Sequence, residues 1–289
     1  MESQNITIKL VGKEFDNEKN VFLLVESLMN FNKVLEKSYL AISGRRRMNE
    51  RDREFFQLRA KEFKDGSLVI DIGMYVMAMT QSSLFNSLAL TPKDIWTLVQ
   101  DGYNYLKAVL SANANGNPVS VTGDNNMIIL INGNDNYMEF RPEVIPYIRM
   151  AEANLEKLAK LSNPEKGVDE IILKNTSLVE KNEIKFGREE REMFEKKTQL
   201  ENEIVELKVT IFRLDAEKCN GRLRVLDSED DSIEINKEYM FDFLQKPTRS
   251  VLSEVFLKEV KIYALKETYF DPISLTKAVS KLRIINVAK

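Results

Sequence analysis

Alternation of apolar and polar positions is clearest between Phe55 and Met79, where two strand-like runs flank Asp65-Gly66. Phe56, Leu58, Ala60 and Glu62 share one side of the first run, and Leu68, Ile70, Ile72 and Met74 share one side of the second. This is the pattern of a half-buried antiparallel hairpin. Gly66 fits the turn because it reaches positive φ without a Cβ clash. The second run is apolar from Leu68 to Met79 except at Asp71 and Gly73, and therefore needs cover on both faces.

The flanking segments supply that cover. Ile6, Ile8 and Leu10 alternate with polar neighbours and predict a strand over 5–12. Over 18–42, Val21, Leu24, Val25, Leu28, Phe31, Leu35, Tyr39 and Ile42 recur at spacings of three and four, which predicts an amphipathic helix with all of them on its buried face. Thr91-Pro92, followed by Asp94, starts a second helix: a capping hydroxyl, a proline in the first turn and an acid beside the positive helix end. Short strands are expected at 119–122, 127–132 and 137–140, separated by Asn/Gly/Asp turns, and a third amphipathic helix at 142–162.

Asn163-Pro164 marks a boundary, and the texture then changes. Residues 170–174 and 183–186 read as strands, and 188–200 as a charge-dense helix that either connects two domains or serves as a self-association arm. Alternation at 205–211, 223–225 and 233–235 predicts strands, 239–244 a helical turn before Pro247, and 255–265 and 282–287 two closing strands. The fold class expected is α+β. An N-terminal domain (1–163) has antiparallel strand pairs covered by amphipathic helices, a connector spans 164–204, and a mostly-β, small-barrel-like domain spans 205–289.

Composition narrows the chemistry. Among 289 residues there is no histidine and one cysteine, Cys219. An internal disulfide, multi-cysteine metal sites, His-bound zinc and nucleophile–histidine machinery are thereby excluded. Basic residues number 42 against 45 acidic, so no global field draws the chain to nucleic acid or an anionic membrane. The first ten residues lack the basic-then-apolar pattern of a secretory leader, and no run of about 18 apolar residues occurs. A cytoplasmic location is expected.

Carboxylate and lysine chemistry survives this filter. Metal-dependent nucleases use acids with a Glu-x-Lys pair, which occurs here at Glu62, Glu183, Glu195, Glu206 and Glu259. About three are expected by chance at this composition, so the motif alone carries no signal. Asp71, the one acid inside the apolar strand, is either a hydrogen-bonded structural group or, with Glu259 and Lys261, part of an acidic site that would hold Mg²⁺. Arg45, Arg46, Arg47 and Arg51 could contact an anion or nucleic acid, although Glu50, Asp52 and Glu54 interleave with them as on a solvated turn. Cys219, beside Asn220-Gly221, could be an exposed thiol.

The stretch Gly66-Ser67-Leu68-Val69-Ile70-Asp71, the later Asn/Gly-rich hairpin Met127–Phe140 and the β-rich C-terminal part together resemble a family of bacterial two-part proteins with genes near mobile-element and phage-defence loci. The resemblance implies an α+β domain followed by a β-rich one and a setting in phage–bacterium conflict. It implies no catalytic residues. The function expected is therefore non-catalytic: an oligomeric binding or inhibitory protein without a cofactor, whose partner is its own copy or a bacterial or phage protein. A Mg²⁺-dependent nucleic-acid-processing component and a small-ligand sensor are the alternatives; no membrane role is expected.

Overall fold

A computed structural model describes residues 2–16, 19–64, 68–77, 90–123, 128–132, 137–178 and 183–288. The chain forms two units, Met1–Glu195 and Lys196–Lys289.

The first unit is built on a strand that pairs on both sides. β1 (Glu2–Val11) lies antiparallel to β3 (Leu68–Val76) and to β7 (Glu170–Asn175); β2 (Phe56–Lys64) and β8 (Glu183–Phe186) complete the order β2-β3-β1-β7-β8. The alternation of β1 explains its position: Ile6, Ile8 and Leu10 are at most 1% exposed, and they lie opposite Ile72, Ile70 and Leu68 of β3. The expected hairpin is thus the β2–β3 edge of a larger sheet. Its Asp65-Gly66 turn, Ala78 and Met79 lie outside the described residues, as do turn residues 124–127 and 133–136. A separate three-stranded sheet, packed against the helix over 92–114, joins β4 (Val119–Gly123), β5 (Ile128–Asn132) and β6 (Tyr137–Phe140).

Three long helices cover the unit: α1 (Val21–Ile42), α3 (Pro92–Ala114) and α4 (Val144–Leu161), with the short α2 (Glu50–Phe55) leading into β2. α3 begins as its sequence requires, with Thr91 Oγ1 accepting from the Asp94 amide and Asp94 Oδ2 accepting from the Thr91 amide. On α1 the buried face begins later than the spacing predicts. Phe31, Val34, Leu35 and Tyr39 are buried, whereas Val21 and Val25, expected inside, are 66% and 47% exposed. α1 packs on α3 and α4 around polar groups as well as apolar ones: Asn154 donates to Asn30 Oδ1 and accepts from the Lys37 ammonium. Hydropathy does not reveal that network.

The segment 164–195, expected as part of a connector, belongs to this unit. α5 (Arg188–Phe194) packs on α3 and α4, with Phe194 buried and stacked on Tyr103 at 5.9 Å. Of the expected arm's sparse apolar residues Phe194 is used here, whereas Leu200 and Ile204 are 46% and 57% exposed.

The second unit is a sheet that closes on itself. β9 (Gln199–Asp215), β10 (Asn220–Ser228) and β11 (Glu238–Phe243) run as an antiparallel meander; after α6 (Arg249–Val255), β12 (Glu259–Asp271) returns beside β9, and β13 (Thr276–Ala288) lies between β12 and β11, parallel to the latter. A fourth strand returning beside the first makes this a Greek key. Val205, Leu207, Val209, Ile211, Leu223, Val225, Phe241, Ile262 and Ile284 fill its interior. Two expectations change. Residues 239–243 are strand rather than helix, because Tyr239 and Phe241 alternate inward, and the helix follows Pro247. Ile233 and Ile235 lie in a turn, not a strand, with Ile235 exposed.

Candidate functional sites

The basic triplet does not act as a unit. Arg45 turns inward to the Asp52 carboxylate, which is fully buried and also accepts from Tyr39 Oη at 3.0 Å and from the Asn49 amide at 3.0 Å. Asp52 also caps α2, where the Asn49 side chain accepts from the Asp52 amide. Arg45 is therefore the counter-ion of a buried acid. Arg46 and Arg47 remain exposed, and the Arg51 guanidinium lies 5.6 Å from the Phe55 ring centroid.

Asp71 is hydrogen-bonded within the first sheet. Half-buried on β3, it accepts from the Thr7 hydroxyl at 2.8 Å, its cross-strand neighbour on β1. Asp71 belongs to the first unit and Glu259 and Lys261 to the second, where each of those two has a different partner.

Those partners come from the other Glu-x-Lys pair. β9 and β12 run antiparallel with Lys208 opposite Lys261. Lys208 therefore reaches Glu259 at 2.8 Å, and Lys261 pairs with Glu206. Two motifs that each look like half of a metal site neutralise one another on a solvent-facing ladder. Hydrogen bonding from Lys261, then from Tyr263, holds the Glu206 carboxyl below the usual range, and the Glu206 and Glu259 carboxylates raise Lys261 and Lys208 respectively. A general base at neutral pH needs a pKa near 7, and these shifts run away from it. Among the described residues no group of three His, Cys, Asp or Glu side chains gathers to hold a metal ion.

A groove of about 520 Å³ in the first unit brings acids and lysines together, lined by Tyr103, Lys107, Glu170, Lys185 and Glu190 among others. Two ion pairs cross it: Lys107 with Glu190 at 2.7 Å and Lys185 with Glu170 at 2.5 Å. Glu190 also accepts from the Gly187 amide at 3.0 Å and so fixes the start of α5. Burial pushes Glu190 up, but the hydrogen bonds from Lys107 and Gly187 outweigh it, and its carboxyl lies below the ordinary value. Burial, followed by the Glu190 charge, raises the Tyr103 phenol, whose hydroxyl donates to the Lys185 carbonyl at 2.7 Å. The groove is a braced junction of α3, β8 and α5.

Cys219 is 7% exposed, with φ of 53° and its thiol directed to the Ala216 carbonyl at 3.6 Å. It is not the exposed thiol that its neighbours Asn220-Gly221 suggested.

No family model matches this chain, and none of the curated proteins or solved structures matches it. The reading of function therefore rests on the geometry.

Sequence reasoning missed one cluster. Ile262, Ala264, Lys266 and Thr268 share the inward side of β12, so beyond the apolar core the interior of the closed sheet turns polar. The Lys266 ammonium donates to Asp230 Oδ2 at 2.6 Å and to Ser232 Oγ at 3.2 Å, and pairs with Glu201 at 3.2 Å; Thr268 donates to Glu201. A lysine in phase with inward apolar residues was the available signal. Burial opposes charge on all three groups, yet their mutual hydrogen bonds prevail: Lys266 is raised, and Asp230 and Glu201 are lowered. The cluster is an ion triad, with the exposed Lys277 ammonium 3.7 Å from Glu201 at its edge.

Proposed function

We propose that the chain is a cytoplasmic, non-catalytic binding protein that assembles with its own copies and acts through protein contacts. The observation that carries this reading is on α1, where Val21, Phe22, Val25 and Met29 are 66%, 73%, 47% and 54% exposed along one stripe. A protein seldom leaves such a stripe wet without use for it. An apolar stripe along a single helix is also complementary to itself when two copies cross about a two-fold axis, the commonest symmetry of soluble assemblies. The pairing of Glu206 with Lys261 and of Lys208 with Glu259 supports the non-catalytic half, since an ammonium occupies each carboxylate that a divalent ion would need. No helix among the described residues is long and apolar enough to cross a membrane. The family resemblance of the Leu68–Asp71 strand supports a setting in phage–bacterium conflict.

The non-catalytic half is tested with labelled single- and double-stranded oligonucleotides incubated with Mg²⁺ or Mn²⁺. The expected result is no divalent-dependent cleavage, with wild type and Glu206→Gln/Glu259→Gln indistinguishable. Cleavage by the wild type that this double variant abolishes would restore the carboxylate nuclease.

A further inference from the structure

On the outside of the closed sheet, Arg213 of β9 stands opposite Arg222 of β10, Arg222 opposite Met240 of β11, and Met240 opposite Lys281 of β13. With neighbouring strands about 4.8 Å apart, these side chains form one row about 14 Å long. Like charges directly opposite one another weaken a ladder. Arg213 and Arg222 are nevertheless both exposed, and neither has a hydrogen-bond or ion-pair partner among the described residues.

Other cations on this sheet are answered. Lys208 meets Glu259, Lys261 meets Glu206, Arg224 meets Glu238, Lys281 meets Asp242, and Arg283 meets both Asp242 and Glu267. The unanswered pair is also placed by a special device. A register shift between Arg222 and Leu223 leaves Phe212 as the extra residue of β9, so that both Phe212 and Arg213 turn outward opposite β10. Strict alternation would have put Arg213 in the core. The Arg224 guanidinium lies 5.7 Å from the Phe212 ring centroid, and Met240 is 54% exposed at the other side of Arg222.

We infer that this face binds single-stranded nucleic acid, with a backbone phosphate drawn between Arg213 and Arg222 and bases resting on Phe212, the Arg224 plane and Met240. Two guanidiniums side by side match a phosphate through paired N–H donors. The Phe212 ring and the exposed Met240 beside them give bases a surface to rest on, which an acidic peptide does not need. Five-stranded Greek-key sheets of this kind carry oligonucleotides across their second and third strands, here β10 and β11, which is support by analogy of fold. The inference is independent of the α1 stripe.

The test is fluorescence anisotropy of the 289-residue chain with end-labelled oligo-dT and oligo-rU of about 20 nucleotides, the two arms separating DNA from RNA. At about 50 mM salt the wild type retains at least one strand, and retention weakens at about 200 mM. Arg213→Glu/Arg222→Glu weakens it by about tenfold or more, whereas Lys261→Gln on another part of the sheet stays within about twofold. Arg213→Gln/Arg222→Gln, which introduces no acid, gives a loss in the same direction if the glutamate variant does not fold. Failure to retain either strand at low salt, equal retention by the arginine variants, or displacement by polyglutamate at equal charge would overturn the inference.

Discussion

Replacing Asp52 by alanine lowers the stability of the first unit by about 3–5 kcal/mol, the cost of breaking a buried ion pair by removal of one partner. Three donors lose their acceptor at once: the Arg45 guanidinium, the Tyr39 hydroxyl and the Asn49 amide. Tyr39 is fully buried, so its hydroxyl has no water to turn to, and α2 loses its reciprocal cap as well. Asp52→Asn keeps an acceptor and the shape, and is expected to fall between alanine and wild type. The chain provides a clean probe: its single tryptophan, Trp96, is fully buried in the first unit, so Trp fluorescence in urea follows that unit alone. An unchanged urea midpoint for Asp52→Ala would show that Arg45 is free for other work, and would return the basic triplet to the list of anion sites.

The second unit should respond to the Lys266 triad. Lys266→Ala leaves Asp230 without its ammonium and Glu201 with only the exposed Lys277 at 3.7 Å, and costs about 2 kcal/mol, less than full burial implies because solvent screens the charges. Lys266→Met, which keeps the stem, recovers part of the packing but none of the charge. The buried thiol of Cys219 reports this unit, since its reaction with a disulfide reagent requires the sheet to open. The pH dependence has two edges. Asp230 and Glu201 are lowered, so their contribution is present above the ordinary carboxylate values of 3.8 and 4.5 and is lost as pH falls through their folded values. Lys266 is raised, so its contribution is complete below the ordinary 10.5 and is lost as pH rises through its folded value. Wild-type stability measured by circular dichroism should exceed that of Lys266→Met across the neutral range, and the difference should shrink beyond both edges. A difference that is flat in pH would mean that the triad contributes packing only.

How far the sequence could be read follows from which signals are local. The Thr91-Pro92 helix start, the alternation of Ile6, Ile8 and Leu10, and the inward apolar positions of the second unit are properties of a few consecutive residues, and they appear as expected. The burial of α1 depends on where α3 and α4 cross it, so spacing alone puts Val21 and Val25 in the core, where the structure leaves them exposed. Register is the least local property of all. The cross-pairing of Glu206 with Lys261 and of Lys208 with Glu259 needs the β9–β12 alignment, and the Arg213–Arg222 opposition needs a one-residue bulge at Phe212. Neither follows from spacing along the chain. The Lys266 triad lies between these cases: its lysine is visible in the inward phase of β12, but Asp230 and Glu201 come from a turn and from another strand.

The central claim, a binding protein that assembles through α1, is tested most directly by light-scattering mass across a concentration series. Phe22→Asp/Met29→Asp changes only exposed side chains, so folding should be unaffected, with stability within about 0.5 kcal/mol of wild type. The wild type is expected at a defined multiple of 33.4 kDa and the double variant at 33.4 kDa. A wild type that stays at 33.4 kDa throughout the series, or a double variant that keeps the wild-type mass, would contradict it.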